Sequence, residues 1–195
     1  MSSLIVGDDG RPRCAWAGND AEYRRYHDEE WGTPLHGDRL LFEKLSLEGF
    51  QAGLSWITIL RRRPTFRIAF HDFDVDAVAA FDERDVERLM SDPGIIRNRL
   101  KVDATISNAR VTQQLISGHS GALDELIWSF APPHRDHAPA SFAELPAVTP
   151  ESTALSKALK KLGYRFVGPT TIYAMMQSGG LVDDHIAGCF RSSFA

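Results

Sequence analysis

The chain has 195 residues, 43% of them hydrophobic and 25% charged, the balance of an ordinary soluble globular protein. Two cysteines exclude a disulfide-rich secreted scaffold, and a net charge of -4 means that any contact with a polyanion must rest on local clusters. No stretch is long enough to span a bilayer and residues 1–13 lack a signal-peptide core, so a cytoplasmic protein without membrane contact is expected.

Strand-like alternation is scarce, while helical spacing and capping residues recur. Leu41, Leu45 and Ala52 form one helical stripe. Asp74 and Asp82 sit where they can cap the helices VDAVAAF and ERDVERLM, with Asp85 in an acidic first turn. Pro93-Gly94 breaks the chain before a longer helix from about Arg99 to Ile116, with Ala104, Val111 and Leu115 inward. ALDELIWSF reads as a short helix after Gly121. Five of the ten prolines fall between 131 and 150, which marks an irregular connection. Leu155, Leu159 and Leu162 then recur at helical spacing. The pattern predicts an all-α protein of eight to ten helices.

The stretch LSKALKKLGYRFVGPTTIYAMMQSGG carries the first chemical signal. Gly163 follows one helix where a left-handed C-cap suits glycine, and Gly168-Pro169 opens another. Tyr164, Phe166 and Val167 can anchor the turn between them in the core. Residues 155–170 hold four basic side chains (Lys157, Lys160, Lys161, Arg165) and no acidic one. Such a hairpin offers backbone N–H groups and a helix N-terminus to a DNA phosphate. A plain helical hairpin with a solvated basic face fits the same residues.

Each cysteine has a histidine near it: Cys14 with His27, and His185 with Cys189 at i, i+4, which face the same way on a helix. Two thiolates and two imidazoles make a closed tetrahedral site of the structural zinc type. Two small buried cysteines beside satisfied histidines are the alternative. His134-x2-His137 is a competing pair in the proline-rich, solvent-facing segment.

Glu48 lies at the edge of the Leu41/Leu45 stripe, and Trp16, Tyr23, Tyr26, Trp31 and Trp56 gather around it in sequence. A boundary glutamate is common on helices, and Trp31 and Trp128 read as core. A carboxylate among aromatic rings is also what a flat, cationic, hydrogen-bond-donating base requires.

Together, RCAW (13–16), YHDEEWG (26–32), LEGFQAGLSWITIL (47–60), GIIRNR (94–99), SKALKKLGYRFVGPTTIYAMMQ (156–177) and LVDDHIAGC (181–189) closely resemble the bacterial 3-methyladenine DNA glycosylase I family. The resemblance covers about residues 12 to 190. It implies an all-α helix-hairpin-helix glycosylase fold with a zinc site tying the two terminal segments together. Residues 1–12 are then a flexible tail, and 13–195 one globular domain of two helical lobes sharing a cleft.

The family's ligands for one structural Zn2+ fall on Cys14, His27, His185 and Cys189. Its base pocket falls on Glu48 with Trp16, Tyr23, Tyr26 and Trp56. DNA contacts are expected from Gly53, Leu54, Lys161, Arg165, Gly168 and Thr170, with Leu54 filling the gap left by an extruded nucleotide. The implied partner is double-stranded DNA containing alkylated bases, the implied product free 3-methyladenine, and the implied state a monomer.

Asp183 departs from the pattern, because this branch usually carries asparagine there while the wider superfamily has a catalytic aspartate. Asp183 is read as a group that caps a helix or orients His185, with a catalytic role as the alternative. Superfamily members that also cut the backbone have a lysine where this chain has Thr170, which implies a monofunctional enzyme without lyase activity.

Overall fold

Asp74 and Asp82 open helices as their type predicts. In the computed structural model, which describes residues 3–194, the Asp74 side chain accepts from the Ala77 N–H at 2.8 Å and starts α4 (Val75–Ala79). Asp82 accepts from the Arg84 and Asp85 N–H groups while Asp85 reaches back to the Asp82 N–H, a capping box that starts α5 (Glu83–Ser91). After the Pro93-Gly94 break, Asn98 caps α6 (Arg99–Ser117). Ala104 is buried on α6, and Val111 and Leu115 pack against the core from its edge.

The other helices are α1 (Ala21–Glu29), α2 (Asp38–Gln51), α3 (Trp56–Ala69), α7 (Ala122–Trp128), α8 (Pro150–Leu162) and α9 (Pro169–Ser178). The described residues thus form nine α-helices, and none is long and apolar enough to cross a membrane.

α2 is the axis of the molecule. Every residue from Leu41 to Phe50 is buried, and the helix packs on α3, α6, α7 and α9. Phe50 meets Phe66 of α3 at 4.7 Å between ring centroids, and Phe70 stacks on Phe73 at 5.4 Å. A helix enclosed on all sides has no solvent face to reveal its orientation by polarity. Glu43, Lys44, Ser46 and Glu48 are therefore buried with the leucines. Ala52, assigned to the stripe by spacing, falls at the C-cap and is exposed.

The structure differs from the sequence expectation in four further places. Leu4–Val6 (β1) pairs antiparallel with Pro12–Cys14 (β2), so the segment expected as a flexible tail folds back on the strand that carries Cys14. Arg13 secures this hairpin with hydrogen bonds to both Asp9 and Asp28. Residues 179–194 form turns with no helix, so His185 and Cys189 do not share a helix face. A turn from Ile186 to Cys189, closed by the Cys189 N–H on the Ile186 carbonyl at 2.8 Å, sets their spacing instead. Leu162 is 42% exposed and Phe166 is 37% exposed, so neither belongs to the core as expected. Both lie where the chain leaves α8 and turns, which carries their side chains off the buried face.

Candidate functional site

Glu48 stands on α2 in the middle of the protein and is 3% exposed. The Ser178 hydroxyl, at the end of α9, donates to its Oε1 at 2.8 Å. Burial pushes the Glu48 carboxyl up from its ordinary range, against the charge of Lys44 and the Ser178 hydrogen bond. The carboxylate borders a cavity of about 250 Å³, whose wall includes Trp16, Tyr23, Tyr26, Trp31 and Trp56. All four aromatics predicted for the pocket are thus brought together with Glu48.

Their rings form one continuous wall. Trp16 meets Tyr23 edge to face at 5.0 Å and Trp31 at 5.1 Å, while Tyr26 leans on Trp56 at 5.5 Å. Trp31, read as core from sequence, is both core and cavity lining. Burial beside Glu48 pushes the Tyr26 phenol well up, and Tyr23 rises for the same reasons. Both hydroxyls therefore stay protonated donors.

Lys44 stands behind the cavity wall, a position that spacing did not reveal. It lies one turn before Glu48, is 8% exposed, and holds its ammonium 5.5 Å from the Tyr26 ring and 5.3 Å from the Trp56 ring. Gln51, Gln177 and Ser178 complete the polar lining. Two of these come from α9, 126 or more positions from Gln51, and only the packing of α9 on α2 joins them.

The loop after α2 begins at the cavity. Ala52, Gly53, Leu54 and Ser55 are all exposed, Gly53 has φ +82°, and Leu54 is 41% exposed. The Leu54 N–H donates to the Gln51 carbonyl at 2.6 Å, and the buried Lys101 ammonium of α6 donates to the Ala52 carbonyl at 2.7 Å, which fixes the start of the loop. Leu54 is thus an apolar side chain projecting into solvent beside the pocket.

The turn between α8 and α9 has the predicted caps. Gly163 takes φ +104°, a conformation closed to most side chains, while the Tyr164 N–H reaches back to the Leu159 carbonyl at 3.0 Å. Gly168 is the N-cap of α9, with Pro169 following. Tyr164 and Val167 enter the core, whereas Phe166 takes φ +57° and faces outward.

Two residues missed in sequence lock this turn. Asn108 of α6 donates to the Arg165 carbonyl at 3.0 Å and accepts from the Arg165 N–H at 2.8 Å. The Ser156 hydroxyl donates to the Val167 carbonyl at 2.6 Å. Lys161, Arg165 and Thr170 are exposed around the turn, and among the described residues neither Lys161 nor Arg165 has an ion-pair partner. The arginines on α3 and α6 are engaged differently. Arg61 pairs with Asp20, Arg63 with Glu30, and Arg99 with Glu83 and Asp103.

At the other end of the cavity wall, Cys14, His27 and Cys189 place their ligand atoms within 4.8 Å of one another, all buried. His185, the fourth predicted ligand, is not within that group: its ring lies 5.2 Å from the His27 ring, and its buried Nε2 has no hydrogen-bond partner among the described residues. The outward nitrogens are both fixed by carboxylates: His27 Nδ1 lies 2.8 Å from Asp28 Oδ1, and His185 Nδ1 lies 2.8 Å from Asp183 Oδ1. Asp183 also accepts from the Ser193 N–H and hydroxyl. Although burial opposes it, these bonds hold the Asp183 carboxyl well below the usual carboxylate range.

Of the two thiols, that of Cys189 is held below its ordinary range by hydrogen bonds from Cys14 and His27, which favours a thiolate there. Gly32 makes room for this centre. A Cβ there would stand 2.6 Å from the His185 ring, and its φ is +75°. His134 and His137 are exposed and take no part.

Comparison with known proteins agrees with this arrangement. Residues 16–192 match the family model described as methyladenine glycosylase. The chain is 48% identical over 182 residues to DNA-3-methyladenine glycosylase 1 of Escherichia coli K12, covering 91% of this chain and 95% of that protein. A crystal structure of 3-methyladenine DNA glycosylase I superposes with a TM-score of 0.88 at 49% identity, covering 92% of this chain and 99% of that one. The Staphylococcus aureus enzyme, solved to explain its recognition of 3-methyladenine, gives 0.85 at 34% identity, covering 91% and 94%. The chain belongs to the methyladenine glycosylase family.

Proposed function

We propose that this protein is a DNA repair glycosylase that hydrolyses the N-glycosidic bond of 3-methyladenine in alkylated duplex DNA. The observation that carries the reading is a single carboxylate, Glu48, buried against a cavity walled by Trp16, Tyr23, Tyr26 and Trp56. A base reaches such a cavity only if its nucleotide leaves the stack, which costs about a few kcal/mol and less for damaged pairs. Leu54 then fills the space left behind, and Gly53 lets the loop approach the duplex.

3-Methyladenine in DNA is already a cation, so its leaving nitrogen needs no proton. The bond between that nitrogen and the sugar carbon breaks with its electron pair going to the base, which departs neutral, and water adds to the sugar cation. The work left to the protein is recognition. Glu48 accepts a hydrogen bond from the exocyclic amine and complements the positive charge, while the rings enclose the base. Unmodified adenine is neutral and gains less.

The turn of α8 and α9 acts as a helix-hairpin-helix element, with Gly168 and Thr170 at a phosphate and Lys161 and Arg165 beside it. Thr170 supplies no amine for a Schiff base, so the enzyme is monofunctional. Cys14, His27, His185 and Cys189 would hold one Zn2+. The unpartnered His185 Nε2, the adjoining sulfurs and the two carboxylate-bound histidines support that fit. Bound zinc would supply a closed structural crosslink between the terminal segments. Asp183 belongs to that centre as the group that orients His185. A cytoplasmic monomer is the form in which we expect it to act.

The test is chromatography of free bases released from methylated duplex DNA, with Glu48→Gln beside the parent. Release of 3-methyladenine, cut by about tenfold or more in the variant, supports the reading. Absence of release from folded parent protein overturns it.

A further inference from the structure

Asp184 is fully buried, and the groups around its carboxylate are hydrogen-bond donors. The Tyr173 hydroxyl donates to Oδ2 at 2.6 Å, and Gln177 Nε2 donates to the same oxygen at 2.7 Å. The Arg135 guanidinium lies 2.9 Å from Oδ1. Each of these three contacts brings a donor to the carboxylate. The Gln177 amide must therefore turn its NH2 toward Asp184, and its carbonyl oxygen points the other way.

Gln177 lines the same cavity as Glu48 and precedes Ser178, the hydrogen-bond partner of Glu48. Its carbonyl oxygen has no hydrogen-bond partner among the described residues. Glu48 and Gln177 thus both line the cavity, and each carries an acceptor oxygen.

We propose that Gln177, locked by Asp184, is the residue that separates adenine from guanine bases in this pocket. The inference rests on the base-pocket reading above. An adenine derivative carries an exocyclic amine with two N–H groups, one for each acceptor. A guanine derivative carries a carbonyl oxygen at the same ring position, which would face the Gln177 carbonyl and leave both unpaired. Buried groups left without partners reject a ligand more strongly than a small misfit of shape does. Asp184 is then a positioning residue, acting through the direction it imposes on the amide. Replaced by asparagine, it could donate to Gln177, and the Gln177 amide could turn its NH2 toward the base.

The experiment uses the full chain and duplex DNA treated with dimethyl sulfate, which contains 3-methyladenine and 3-methylguanine. The readout is the ratio of the two release rates in the parent, Gln177→Met and Asp184→Asn. Each variant is expected to narrow the preference for 3-methyladenine about tenfold. General loosening of the fold would lower both rates together and leave the ratio unchanged. Should Asp184→Asn fail to fold, Gln177→Met decides alone. An unchanged ratio in folded Gln177→Met overturns the proposal, even when the parent releases 3-methyladenine and Glu48→Gln does not. If the parent releases no 3-methyladenine, the base-pocket reading falls first and this inference with it.

Discussion

Ser178 Oγ, at the C-terminal end of α9, donates to Oε1 of Glu48, in the centre of α2, at 2.8 Å. One hydroxyl thus couples the hairpin helices to the carboxylate that lines the aromatic cavity. Burial raises the Glu48 pKa, while this bond and the Lys44 charge oppose the rise. Removing the hydroxyl therefore raises the pKa further, because a hydrogen bond to the charged form is lost. Ser178→Ala should shift the acid limb of the kcat/KM profile to higher pH by about one unit, at roughly 1.4 kcal/mol per unit. An unmoved limb with lowered activity would mean that Ser178 acts by packing alone.

The Cys14, His27 and Cys189 group, with the His185 ring 5.2 Å from that of His27, leads to a prediction about metal content. The purified protein should carry one zinc per chain. Cys14→Ser should lose it and melt at least about 5 °C lower, because binding energy at a structural site is folding energy. Asp183→Asn should keep the zinc and give unchanged single-turnover base release, since its carboxylate bonds His185 Nδ1 and Ser193. Loss of release with full metal content in that variant would assign Asp183 to the chemistry instead.

Lys161 and Arg165 are exposed beside the hairpin turn, while the α3 and α6 arginines Arg61, Arg63 and Arg99 are paired with acidic residues. Replacing both Lys161 and Arg165 by alanine should weaken DNA binding without altering sequence preference. The slope of log affinity against log salt should fall by about 1 for each residue removed. An unchanged slope measured by fluorescence anisotropy would place the phosphate contact elsewhere.

Thr170 stands in the first turn of α9 and no lysine follows Gly168 in that turn. Incubation with damaged duplex and borohydride should therefore leave no covalent protein–DNA adduct. A trapped adduct would reveal an amine nucleophile and disprove the monofunctional reading.

Local chemistry wrote much of this protein into its sequence. The Asp74 and Asp82 caps, the Gly163 and Gly168-Pro169 hairpin boundaries and the α6 start depend on residues within a few positions of one another. Short-range hydrogen bonds and allowed backbone angles decide such features, and no distant partner is needed. The cysteine–histidine pairs and the aromatics around Glu48 stood out for a different reason: such residue types are rare enough to be noticed in the chain.

Tertiary structure decided what surrounds each of them. Lys44 and Glu48 look like boundary residues of an amphipathic helix, yet α2 is buried all round, and that follows from four other helices packing on it. Gln177 and Ser178 reach the cavity beside Glu48 only because α9 lies against α2, and Asp184 reaches Gln177 only because the following turns fold back. Asn108 acquired its role by reaching a turn 57 positions away. Even the His185–Cys189 spacing, which suggested a helix, is realised by a turn held against β2 and α1. Sequence separation hides these contacts because their free energy exists only once the chain has closed on itself and excluded water.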